Sequence, residues 1–155
     1  MSAEEGKKAP DFTAPTDGSG KLKLSELRGK PVVLYFYPKD DTSGCTAEAC
    51  AFRDALPDFA KLKAEIVGIS RDSVASHNKF KTKYGLPFPL ASDQDGRVCA
   101  AYGTWVEKSM YGKKYMGIER ATVLIDAKGV VRNVWRKVKV DGHAEEVLEA
   151  AEALK

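Results

Sequence analysis

Cysteine is scarce in this chain of 155 residues: there are three, at positions 45, 50 and 99. A count that is low and odd excludes a disulfide-stapled secreted module, and a chain of this length can bury a core without staples. Histidine is scarcer still, with only His77 and His143. The two lie far apart and the cysteines lack C-x-x-C spacing, so no metal centre is expected. Neither sign of charge is in excess, with 25 basic and 22 acidic side chains and a net charge of +3. No Lys/Arg block interleaves with aromatics, which argues against a nucleic-acid surface. No apolar run approaches the roughly 18–20 residues of a membrane span. Residues 1–10 are polar and lack the apolar core of a signal peptide, so a cytoplasmic protein is expected. No strand is followed by a dinucleotide glycine pattern. The local Gly20-Lys21 has Pro15 where a phosphate loop needs glycine, and no Ser or Thr follows the lysine. No nucleotide, nicotinamide or flavin cofactor is expected.

What is present is a globular balance, 43% hydrophobic and 30% charged, which predicts one domain over 1–155 with residues 1–8 frayed. The turn cluster 17–20 separates two short extended pieces and predicts an N-terminal β-hairpin. Residues 25–29 read as one helical turn ended by glycine. The run 32–37, Val-Val-Leu-Tyr-Phe-Tyr, suits a central strand buried on both faces. A helix is expected from near 43–45 through Cys50 and Leu56, with Pro57 kinking it or beginning a second piece. Residues 66–70 form the next buried strand. Asp72 or Ser73 caps a helix running to Gly85, with His77 on its surface. Residues 87–90 are extended, and a short helix holds Val98, Cys99 and Tyr102. Two strands, 121–125 and 130–135, flank the turn 126–129, and a last amphipathic helix runs over 143–154 with His143 at its start. The order is β-hairpin, then β-α-β-α, then β-β-α. It predicts an α/β, thioredoxin-like fold: a mixed central sheet with helices on both faces.

The chemically informative segment is 38–50, Pro-Lys-Asp-Asp-Thr-Ser-Gly-Cys-Thr-Ala-Glu-Ala-Cys. Cys45 falls where the loop after the first central strand becomes a helix. Unpaired N–H groups and the partial positive charge of a helix start favour a thiolate over a thiol. An ordinary cysteine titrates near ~8.5, and a helix terminus alone supplies roughly one unit of depression. A second positive group is therefore needed. Asp40 and Asp41 have the wrong sign and are expected to point to solvent. Arg120, just ahead of the 121–125 strand, is the candidate. Arg53 is a weaker second cation that reads better as a surface salt-bridge residue, and Cys99 reads as core packing. Trp105, Trp135 and the tyrosines from Tyr102 to Tyr115 could line a substrate mouth, but core packing and sheet cover explain them adequately.

Pro38, Thr42 and Cys45 reproduce the peroxiredoxin spacing of Pro, three residues, Thr, two residues, Cys. With Cys50 five residues on, Asp-Asp-Thr before and Ala-Phe-Arg-Asp after, the chain resembles the bacterioferritin-comigratory-protein (peroxiredoxin Q) branch. The stretches 111–118, 120–126 and 135–140 extend the likeness from about Ala9 to near the end. Ser43 departs from the branch, which usually has proline there. The resemblance implies a thiol peroxidase acting on hydrogen peroxide and organic hydroperoxides. Cys45 would be the nucleophile, with Thr42 orienting the peroxide, Arg120 stabilising thiolate and oxyanion, and Pro38 shaping the loop. It also implies a Cys45–Cys50 intramolecular disulfide recycled by thioredoxin or a similar dithiol reductant, and a monomer. If Cys50 were inert, Cys99 would be the next resolving candidate.

Two residues five apart on a helix have Cα atoms about 8–9 Å apart, whereas a disulfide tolerates at most about 7 Å. The helix start must therefore unwind for the pair to bond. Two rival functions use the same pair. A disulfide oxidoreductase fits less well because the spacing is not C-x-x-C. A redox sensor or holdase would require a partner surface that nothing in the sequence marks.

Overall fold

The computed structural model describes residues 3–18 and 20–154. Fourteen elements follow in order: β1 (Thr13–Pro15), β2 (Lys21–Lys23), a 3-10 turn (Leu24–Leu27), β3 (Val32–Phe36), α1 (Ser43–Lys61), β4 (Glu65–Ser70), α2 (Val74–Tyr84), β5 (Leu90–Ser92), α3 (Arg97–Ala101), β6 (Trp105–Met110), β7 (Lys113–Ile118), β8 (Ala121–Ile125), β9 (Val131–Trp135) and α4 (His143–Glu152).

The central sheet has the order β5-β4-β3-β8-β9. β3 pairs in parallel with β4 and antiparallel with β8, so the sheet is mixed. Strand side chains alternate between faces, and β3 shows why its apolar run is continuous. Val32, Leu34 and Phe36 face one core with Val67, Ile69, Val123, Cys99 and Tyr102. Val33, Tyr35 and Tyr37 face the other with Cys45, Phe52, Phe59, Phe80 and Val147. The second core seats α1. Phe52 stacks on Tyr35 with ring centroids 4.9 Å apart, and its side chain is fully buried. Burying such a ring contributes about 1.5–3 kcal/mol. The N-terminal hairpin is present as β1–β2, although Ser19 of its turn lies outside the described residues.

Several expectations need correction. Met1 and Ser2 lie outside the described residues, but residues 3–8 are not frayed. Ala3 is buried, Gly6 N–H donates to the Val131 carbonyl at 2.8 Å and Val131 N–H to the Lys7 carbonyl at 2.9 Å. Exposed backbone groups at the start of β9 recruit this segment despite its polar side chains. Pro57 does not begin a second helical piece, because α1 runs through it to Lys61. The extended 87–90 stretch leads into β5, a third parallel strand. The β6–β7 hairpin was not anticipated. It stands as a separate two-stranded sheet with one tight turn at Tyr111 and Gly112, both at positive φ.

Candidate active site

The site lies where β3 gives way to α1. β3 pairing persists one residue beyond the strand, with Tyr37 N–H donating to the Ile69 carbonyl at 3.1 Å. Pro38 then offers no N–H and the ladder stops. Thr42 is the N-cap residue of α1, yet its hydroxyl does not cap the helix. It donates instead to the Lys39 carbonyl at 2.9 Å. That choice leaves its oxygen lone pairs to accept from another donor and leaves the first-turn amides uncapped by a side chain. Cys45 sits in this first turn and is 1% exposed.

Sheet register delivers the cation. Phe36 pairs with Ala121, so Arg120 falls opposite the end of β3. Its Nη2 lies 3.4 Å from Cys45 Sγ and its Nη1 2.7 Å from Glu48 Oε1. The backbone of Gly44 admits this approach, since a Cβ there would meet Arg120 Nη2 at 3.1 Å. Burial works against the Arg120 charge, but Glu48 and Cys45 both favour it, and its pKa is raised overall.

Glu48 was missed at the sequence level. It lies three residues after Cys45 on the same helix face, is 1% exposed, and its Oε2 has no partner among the described residues. Burial pushes its carboxyl up to about 7, against the opposing pull of Arg120. The available signal was an acid at position 48 within the inward stripe Cys45, Ala49, Phe52 and Phe59. Lys108 was missed too, and no sequence pattern marks it. It reaches the site from β6, where burial and then the nearby Arg120 lower its pKa, while Cys45 acts in the opposite direction. Beside it, a groove of about 440 Å³ is lined by Pro38, Arg71, Trp105, Lys108, Tyr115 and Met116.

The remaining candidates separate clearly. Cys50 lies further along α1 and is half-buried, and Cys45, Cys50 and Cys99 are all free thiols. Cys99 is fully buried in α3, and burial pushes its thiol up to about 12. Arg53 pairs with Asp54 and donates to the Tyr84 carbonyl, away from Cys45. Asp41 is exposed, as expected, and accepts from Lys83 and Tyr84. Asp40 does not face solvent and His77 is not a surface residue. Both are buried, and they bond to each other at 2.7 Å. The Asp40, Asp72 and His77 ligand atoms lie within 4.8 Å of one another, and protein donors and acceptors already engage each of these groups. His143 begins α4, is buried against Phe52 and Trp135, and bonds to Thr122.

A thioredoxin-like domain that buries a cysteine in the first turn of a helix, beneath an arginine, has the layout of a thiol peroxidase. The comparisons agree. Residues 6–134 match the AhpC/TSA family. A putative peroxiredoxin bcp of Coxiella burnetii is 58% identical over 148 residues, covering 96% of this chain and 98% of that protein. Peroxiredoxin Bcp of Bacillus subtilis is 50% identical over 149 residues, covering 96% and 95%. Among solved structures, the Xanthomonas campestris bacterioferritin comigratory protein, described for its alkyl peroxide reduction activity, superposes with a TM-score of 0.91 at 45% identity. That match covers 97% of this chain and 98% of the other. The chain belongs to the AhpC/TSA family, in its bacterioferritin-comigratory-protein (peroxiredoxin Q) branch. It is a peroxiredoxin, a thiol peroxidase that consumes peroxide at the expense of a thiol reductant. No helix among the described residues is long and apolar enough to cross a membrane.

Proposed function

We propose that Cys45 is the nucleophile of this peroxidase and Cys50 its resolving partner. The observation that carries this reading is the Arg120 guanidinium 3.4 Å from the buried Cys45 sulfur. The Cys45 thiolate attacks the distal oxygen of a hydroperoxide. The O–O bond breaks, sulfur gains that oxygen as a sulfenic acid, and the alkoxide or hydroxide leaves and takes up a proton. Thr42, with its own proton given to the Lys39 carbonyl, accepts from the peroxide O–H and aims that same oxygen at sulfur. Arg120 and the first-turn amides stabilise charge on the departing oxygen. Pro38 holds the loop entry and limits water beside the sulfenic acid.

The Cys50 thiol then condenses with that sulfenic acid, releasing water and forming a disulfide. Two external thiols reopen it by exchange and leave as a disulfide of their own, with thioredoxin as the proposed donor. Three unpaired cysteines suit a reducing, cytoplasmic compartment. A monomer is proposed, as the resemblance to the peroxiredoxin Q branch implies. The test is to mix reduced protein with stoichiometric peroxide and count thiols. Rapid loss of two thiols, restored by thioredoxin and abolished in Cys45→Ser, is expected. Oxidation no faster than that of a free cysteine would overturn the assignment.

A further inference from the structure

The active-site loop is held by a buried pair that the peroxide chemistry does not use. His77 is fully buried and both its ring nitrogens face acceptors: Nδ1 lies 2.7 Å from Asp40 Oδ2, and Nε2 lies 3.1 Å from the Ala91 carbonyl oxygen. The Ala91 carbonyl can only accept, so Nε2 carries an N–H. Asp40 meanwhile accepts from the Tyr37 hydroxyl at 2.6 Å and the Ser76 hydroxyl at 2.8 Å. The hydrogen bonds therefore close as one buried unit, with Nε2 donating to Ala91 and a single proton joining Nδ1 to Asp40 Oδ2.

The pair joins three elements to one loop residue. Ser76 and His77 belong to α2, the Ala91 carbonyl belongs to β5, and Asp40 N–H donates to Asp72 Oδ2 at 2.8 Å, just past β4. Asp72 is itself fixed by the Ser70 hydroxyl at 2.6 Å. The next residue, Asp41, sits at φ +59° and is gripped from outside by Lys83 and Tyr84 of α2, each at 2.8 Å. A non-glycine residue in that conformation persists only where its surroundings enforce it. α2 thus clamps two successive residues between Pro38 and Thr42.

We infer that the buried Asp40–His77 hydrogen-bonded pair positions the 38–42 loop for the peroxide step, keeping Thr42 in place while the chain beyond it rearranges. The inference rests on Cys45 being the nucleophile. The disulfide requires the first turns of α1 to open, and a displacement of Thr42 by about 1 Å can cost 10²-fold in rate. Without an anchor upstream, the opening helix would drag Thr42 with it.

Rapid-mixing kinetics resolve the peroxide-dependent step from the disulfide step. Asp40→Ala is expected to slow the first by about 10²-fold and leave the second no slower. Asp40→Asn keeps an acceptor for Tyr37 and gains a donor toward His77 Nδ1, and is expected to recover most of the loss. A folded Asp40→Ala protein with the wild-type peroxide step, equal slowing of both steps, or no rescue by asparagine would each overturn the proposal. Ring-nitrogen NMR gives a readout independent of activity and of the role of Cys45. The reduced wild-type protein should show a His77 Nε2 N–H and a slowly exchanging proton in the Nδ1–Asp40 contact, the second being lost in Asp40→Ala. A wild-type Nδ1 contact that exchanges as fast as in Asp40→Ala would overturn the pairing.

Discussion

Arg120 meets Cys45 across 75 positions of sequence, with Nη2 placed 3.4 Å from Sγ. The same guanidinium is held from its other side by Glu48 at 2.7 Å. One planar fork therefore serves a sulfur and a carboxyl on adjacent turns of a single helix, a geometry that lysine cannot copy.

Arg120→Met is expected to slow the peroxide step by about 10²–10³-fold, the usual loss for a removed charge-stabilising donor. Arg120→Lys should recover only part of it. Single-turnover oxidation of the reduced protein, followed by intrinsic fluorescence, measures both.

Glu48 gives stability a pH dependence of definite sign. Its carboxyl is raised from 4.5 to about 7 by burial, so the folded protein binds a proton that the unfolded chain has already lost. Its stabilising effect is fully present below the unfolded value and is lost as pH rises from 4.5 to about 7. The loss is on the order of 3 kcal/mol at about 1.4 kcal/mol per unit. The urea midpoint of the reduced protein should fall more between pH 5 and 8 in the wild type than in Glu48→Gln. Parallel pH profiles would remove Glu48 as the cause.

Cys50→Ser should retain the first peroxide turnover and accumulate sulfenic acid, detectable by a dimedone adduct on Cys45. If the first step were lost as well, the division of roles between the two cysteines would be wrong.

Oxidation should open the start of α1. Amide exchange over residues 42–52 is expected to speed up on disulfide formation, while the Phe59 end stays protected by the aromatic contacts that Phe52 and Phe59 make beneath the helix. Identical protection in the two redox forms would contradict the unwinding.

Cys99 should ignore alkylating agents in the native protein. Its thiol titrates near 12 inside a fully buried site, so at pH 8 only on the order of 10⁻⁴ is thiolate. Mass spectrometry after iodoacetamide should find Cys99 modified only in denaturant.

Legibility in the sequence followed the range of the physics. The β3 run announced a strand buried on both faces because two cores meet on it. Cys45 and Thr42 were readable because a helix start is a local event. Arg120 was reachable because it directly precedes a strand whose partner was evident. Asp40 and His77 were misread because their burial depends on a pairing 37 residues apart, and an aspartate in a loop or a histidine on a helix ordinarily faces water. Lys108 was invisible because the hairpin that carries it has mostly exposed side chains and little alternation of apolar and polar residues.

The antiparallel match of Phe36 with Ala121 also makes the chemistry sensitive to chain length in a place far from the cysteine in sequence. Residues along a strand point alternately up and down. Deleting a single residue within β8 would keep its apolar character yet carry Arg120 to the opposite side of the sheet. In this protein a frameshift of one pairing position is equivalent to losing the cation altogether.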